Sequence, residues 1–207
     1  MRTVAWVTFA AIVAATWWHP IYPTEQALHH SLTLVAVVAL LWLQRRGDLP
    51  VSSLVLLLVF LTLHTVAARW IYSYVPYDDW LRALTGHRLT VEGGRNDFDR
   101  LVHLAYGLCL APVLLAYFAD RRGWRTGWAA LAAVDIVVST GALYELFEWG
   151  IAVVLAPDYA EAYNGQQGDI FDPQKDMAIA ALGALVGVAL ALLVRLSRRS
   201  TVESVAR

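Results

Sequence analysis

The sequence predicts an all-α fold, a polytopic transmembrane helical bundle of about six helices with both termini in the cytoplasm. Three observations carry this. Hydrophobic residues make up 58% of the chain, and the mean hydropathy of +0.52 exceeds what a water-soluble domain of this length carries. The apolar stretches have membrane-spanning length and lack the strict alternation of strands. Basic residues recur after every second stretch. A hydrocarbon core of ~30 Å takes about 20 apolar residues per helix, so residues 1–207 form a single membrane domain in contact with the lipid bilayer. The net charge of -1 argues against a nucleic-acid partner. Cys109, the lone cysteine, lies inside an apolar run and says nothing about redox compartment.

The first span covers residues 3–18, after Arg2. A short apolar run behind one arginine also reads as a signal peptide, but Trp17-Trp18-His19-Pro20 stands where small cleavage-site residues belong. Loss of this span leaves the orientation of the other five unchanged. The second span, 27–44, ends in Gln44-Arg45-Arg46; the third is 52–72. The fourth, 98–120, ends in Asp120-Arg121-Arg122-Gly123-Trp124-Arg125. The fifth is 126–154, and the sixth, 174–196, runs into Arg195 and Arg198-Arg199. Lys and Arg are retained on the cytoplasmic side, so these three clusters, with Arg2 and Arg207, mark the inner face. Arg69, Arg82, Arg88, Arg95, Arg100 and Lys175 are left at the outer one. Trp17, Trp18 and Trp70 fall at the outer interface and Trp42, Trp124 and Trp128 at the inner, where amphipathic rings belong. The long connections, 73–97 and 155–173, are both outer loops that can cover the helix ends; no amphipathic linker is expected in either.

Three outer helix ends carry acids at helical spacing. At the start of span four, in Asn96-Asp97-Phe98-Asp99-Arg100-Leu101-Val102-His103, Asp99 and His103 are i,i+4, and a carboxylate there orients the imidazole. Near the end of span five, in Tyr144-Glu145-Leu146-Phe147-Glu148-Trp149, Glu145 and Glu148 are i,i+3. Before span six, in the stretch from Gly165 to Asp176, Asp172 and Asp176 are i,i+4. Carboxylates paired in this way can chelate one cation from several helices. Asp97 also reads as an N-cap, and Asp172 before Pro173 as a cap followed by proline at the first helical position. Asp99 and Asp176 sit where a helix dipole welcomes an acid. Glu145 and Glu148 sit at a C-terminal end, where it does not, so this pair needs cations or protons nearby. His19, His29, His30 and His87 gain no role from spacing. Asp135, expected to be buried in the inner half of span five, and His64 lie where a proton path would pass; a polar contact between helices reads equally well.

At these residues the chain resembles the YjdF family of bacterial inner-membrane proteins, through the Asn96–His103 and Tyr144–Trp149 segments and Gly168-Asp169-Ile170-Phe171-Asp172-Pro173-Gln174-Lys175-Asp176-Met177. The resemblance implies a multi-pass protein of the bacterial inner membrane. It implies no reaction. The residues themselves point to a divalent-cation site at the periplasmic face. It would serve an enzyme acting on a lipid or lipid-linked phosphate, with Glu145, Glu148, Asp99, His103, Asp172 and Asp176 as ligands or acid/base groups. Arg100 and Lys175 would neutralise substrate phosphate. Oxygen-rich ligation favours Mg, Mn or Ca. The alternatives are a small cation- or proton-coupled transporter, and a structural protein whose ion pairs tie the outer helix ends together.

Overall fold

A computed structural model describes residues 1–90, 94–154 and 166–205, with 199–205 as backbone only. The described chain is helical: α1 (Arg2–Thr16), α2 (Pro23–Arg45), α3 (Val51–Arg69), α4 (Tyr77–Thr85), α5 (Phe98–Ala116), α6 (Thr126–Val154) and α7 (Asp172–Val205). A π-turn, Tyr117–Arg121, prolongs α5. Five helices, α2, α3, α5 with its π-turn, α6 and α7, are long and apolar enough to cross a membrane. The apolar α1 has 15 residues, or ~22 Å at 1.5 Å per residue, shorter than the ~30 Å core.

Local chemistry sets the boundaries. Proline at the first position of α2 lacks only an N–H that would be unpaired there. Gly47 takes φ +74 just beyond the end of that helix, a conformation that glycine adopts without strain. The expectation of an unstructured connection over 73–97 is corrected by α4, a two-turn amphipathic helix with Asp78 and Asp79 in its first turn. Nine residues are too few for an apolar periodicity to stand out in the sequence. Most of the other expected loop, 155–165 with Gly165, lies outside the described residues, as do 91–93.

The helices pack as two groups. Phe9, Leu40, Leu54 and Leu58 bind α1 to α2 and α3. Ala111, Leu115, Ala133, Val137, Ala184 and Val188 bind α5, α6 and α7. Phe98 and Val102 join the groups by packing on Ala67, Ala68 and Tyr72. The closest approach is between α5 and α7. A Cβ on Gly107 would overlap the Ala180 carbonyl, one on Gly183 the Leu104 carbonyl, and one on Gly187 would lie 2.8 Å from the Leu108 carbonyl oxygen. Helices in lipid gain no hydrophobic free energy by meeting, so such small-residue contact is what holds them together.

Charge is segregated along the bundle. At one end Arg195 forms a bidentate pair with Asp120 (2.9 and 2.7 Å), Arg121 donates to the Gly47 carbonyl, and Arg2 to that of Leu49. The acids gather at the other end. Asp135 is not buried as expected but exposed, beside Trp124, Arg125 and Trp128. The buried stripe of α6 runs through Ala129, Ala133, Val137 and Gly141, and a residue two places from Ala133 and Val137 points the other way.

Candidate functional site

Three stripes at four-residue spacing bring the acids together. On α5, Asp99 and His103 continue toward Gly107 and Ala111; on α7, Asp172 and Asp176 continue toward Ala180 and Ala184. The glycine contact that brings these helices together therefore also sets the two polar ends face to face. On α6, Glu145 follows Val137 and Gly141 along the core-facing stripe. Asp99, Asp172 and Asp176 are 4%, 0% and 3% exposed.

The six expected ligands fall into three neighbourhoods rather than one shell. In the first, ligand atoms of His103, Glu145 and Asp176 lie within 4.8 Å of one another. His103 Nε2 is 3.4 Å from Glu145 Oε1, and Asp176 Oδ1 is buried without a hydrogen-bond partner among the described residues. No Lys or Arg lies within ion-pair distance of Glu145 or Asp176 among those residues. His103 therefore faces Glu145 across the helix interface, whereas the spacing on α5 alone suggested Asp99 as its partner.

The second neighbourhood is built on Arg95. Its guanidinium lies 2.5 Å from both Asp99 Oδ2 and Asp172 Oδ1 and 3.2 Å from Asp97 Oδ1, and it donates to the Gln166 carbonyl at 2.6 Å. Burial by itself would lower the Arg95 pKa; Asp99, Asp172 and Asp176 more than reverse that, and the net direction is upward. Asp99, Asp172 and Asp176 also bring ligand atoms within 4.8 Å of one another, so Asp176 is common to both acid groups. At the rim, Arg100 reaches Asp97 (3.0 Å), Asp169 (2.9 Å) and Asp172 (3.5 Å), and Lys175 reaches Asp169 (2.5 Å). The Lys175 ammonium is the main reason the Asp169 carboxyl is held below its ordinary range. Asp97 occupies the N-cap position of α5 but makes no side-chain cap bond. Its carboxylate is turned to the two arginines, and Asn96 Oδ1 instead accepts the Phe98 N–H at 3.2 Å.

Glu148 belongs to a third neighbourhood. It accepts a hydrogen bond from the Tyr144 hydroxyl at 3.0 Å and lies 3.9 Å from His29 Nδ1. His64 Nε2 donates to the His29 carbonyl at 3.2 Å, which leaves its Nδ1 to accept from the Tyr72 hydroxyl. His29 and His64 thus join α2 and α3 to this site, a role that spacing within either helix does not reveal. Glu145 and Glu148 both line a crevice of about 340 Å³ between α6 and α7. His103, Tyr144, His64 and Tyr72 line a separate cavity of about 380 Å³ among α2, α3, α5 and α6. The Glu145–His103 pair stands between the two.

Residues 1–198 match the family model described as predicted membrane protein (DUF2238). The chain is 31% identical over 167 residues to the inner membrane protein YjdF of Escherichia coli (strain K12), covering 76% of this chain and 74% of that protein. No solved structure matches it. The chain is thus a multi-pass protein of the inner membrane, and it belongs to the DUF2238 family of membrane proteins.

Proposed function

We propose that this protein is an inner-membrane enzyme that holds one divalent cation between His103, Glu145 and Asp176 at the periplasmic face and acts on a lipid-borne phosphate. The observation that carries the proposal is the buried Asp176 carboxylate. It is 3% exposed and its Oδ1 has no hydrogen-bond partner among the described residues, although ligand atoms of a second acid and an imidazole lie within 4.8 Å. Two acids in membrane-embedded helix ends are costly unless neutralised; Arg95 acts on Asp176 only from beyond ion-pair distance, and a divalent cation would supply the charge in direct contact. One imidazole with two carboxylates suits Mn or Zn as well as Mg, so the imidazole widens the choice beyond hard oxygen-only ions.

The remaining charges have other parts. Arg95 neutralises Asp99 and Asp172 and fixes where α5 and α7 begin, which is the structural reading of the outer ion pairs applied to half of the cluster. Arg100 and Lys175 meet at Asp169 on the rim, where they can exchange that carboxylate for the substrate's phosphate. The reaction class is phosphate-ester hydrolysis. Water bonds to phosphorus, the ester oxygen leaves with the lipid, and the proton that the water gives up ends on that oxygen. The bound cation supplies Lewis acidity. The periplasmic placement rests on the basic residues gathered at the opposite end of the bundle. Transport finds less support, since Asp135 faces away and the α6 stripe below Glu145 is Gly141, Val137 and Ala133.

The test is equilibrium binding of Mn to the purified protein in nanodiscs, with phosphate release from a lipid phosphate as the second readout. Wild type is expected to bind about one equivalent, and Glu145→Gln and Asp176→Asn to weaken binding at least tenfold and abolish release. Equal binding by wild type and both variants contradicts the proposal.

A further inference from the structure

We infer that a continuous groove through the bundle holds a single long hydrocarbon chain of the lipid whose phosphate reaches the His103 site. The inference rests on the proposed cation site for the head group and on the groove alone for the chain. The cavity of about 380 Å³ beneath His103 shares Ala36, Phe60, Leu61 and Tyr106 with a second cavity of about 500 Å³ among α2, α3 and α5. The two therefore adjoin at these residues, where the Phe60 and Tyr106 ring centroids are 5.3 Å apart, and together they make up the proposed passage. It extends along α5 from His103 to Tyr117, 14 residues apart in sequence, or ~21 Å at 1.5 Å per residue. Half of a ~30 Å hydrocarbon core is ~15 Å, so the passage is longer than one leaflet and accommodates a chain that crosses the midplane.

The walls and the opening suit hydrocarbon. Leucine is the commonest side chain along the passage, with tyrosines interspersed, and the charged Asp48, Asp120 and Arg121 lie only at the end away from His103. The Tyr106 hydroxyl, where the two cavities adjoin, is already paired with Thr140 Oγ1 at 2.5 Å. At the head-group end α2 meets α6, where Leu28 packs against Ile151 and Ala152 and His29 approaches Glu148. Below that contact the upper cavity lies between the two helices. Its rim residues Leu32, Leu143 and Phe147 are 39%, 64% and 38% exposed, on the surface that a bilayer covers. A chain can thus enter sideways from the membrane while its head group stays at the level of His103. The position of His103 in both the upper cavity and the cation site places the phosphate end of the chain.

Gly141 lines the upper cavity, and a Cβ added there meets nothing within 4 Å, so Gly141→Leu fills the passage without a backbone clash. Ala36→Phe obstructs it from α2, where the two cavities join. The experiment measures binding of geranylgeranyl phosphate, geranylgeraniol, octyl phosphate and phosphatidic acid to the nanodisc-embedded protein, alongside Mn binding. Wild type is expected to bind geranylgeranyl phosphate at least tenfold more tightly than octyl phosphate or phosphatidic acid. Each plugged variant should lose at least tenfold for geranylgeranyl phosphate and for geranylgeraniol, with Mn binding within twofold of wild type, which also reports that it folds. Undiminished binding by both plugged variants, or equal binding of octyl phosphate or of phosphatidic acid, overturns the long-chain groove. Absence of Mn binding in wild type overturns the cation site instead, and geranylgeraniol still reads the groove independently.

Discussion

At the mouth of the bundle one guanidinium, Arg95, contacts Asp97, Asp99 and Asp172. Removing one partner from a buried ion network leaves the others uncompensated, typically at about 3–5 kcal/mol. Arg95→Ala is therefore expected to lower the thermal unfolding midpoint of the purified protein sharply, and a midpoint within error of wild type would show that these pairs are not structural. Lys175, with its side chain half exposed, belongs to the rim, and Lys175→Ala is expected to leave the midpoint nearly unchanged. The Asp169 carboxyl is held below its ordinary value of 3.8. Its contribution is complete above that value and is lost as the pH falls through the depressed one. Titration of Asp169 by carbon NMR should thus give a pKa under 3.8 in wild type that rises in Lys175→Ala. The acids themselves were legible because charges in an apolar chain are conspicuous. Their partners were not. His103 pairs across a helix interface with Glu145, and Arg95 stands in a connection before its helix, so spacing within one helix could not identify either relationship.

Among the elements, the α5/α7 contact determines whether the site exists. Asp99 and His103 share a stripe with Gly107, and Asp172 and Asp176 share one with Ala180 and Ala184. The Gly107 Cα lies against the α7 backbone. Gly107→Leu must separate the helices, and overpacking of this kind commonly costs about 1–3 kcal/mol. The expected result is loss of both stability and Mn binding. Gly127→Ala, at a position with open space around it, should leave both unchanged and serves as the control. The signal for this contact is present as Gly183-x-x-x-Gly187, the small-residue spacing that allows close helix packing in membranes, but the spacing does not specify which helix is the partner. Five membrane-length helices were readable because length and hydropathy are strong constraints in lipid; α7 continues to Val205, past the apolar stretch that ends near 196, because a helix does not stop where its hydropathy does. The short α4 was not, since two turns carry too little periodicity.

Over the whole molecule, two helix groups meet along α3 and α5, with Arg2, Arg121 and Arg195 toward one end and most of the acids, interleaved with Arg95, Arg100 and Lys175, toward the other. The orientation that follows from this polarity is open to direct test in a Cys109→Ala background. A cysteine at Leu89, beyond α4, should react with a membrane-impermeant maleimide in intact spheroplasts, whereas one at Arg122 should react only after permeabilisation; the reverse pattern would invert the bundle. Such polarity was evident from sequence because Lys and Arg placement is a property of the whole chain. The division of the acids into an Arg95-bound group and a group with no Lys or Arg within ion-pair distance among the described residues is a property of three-dimensional contacts alone. Whether His103, Glu145 and Asp176 together bind one cation can be read by pulsed electron paramagnetic resonance of the Mn-loaded protein. Wild type is expected to show hyperfine coupling to one imidazole nitrogen that disappears in His103→Asn, whereas Mn bound without any nitrogen coupling would rule out this ligand set.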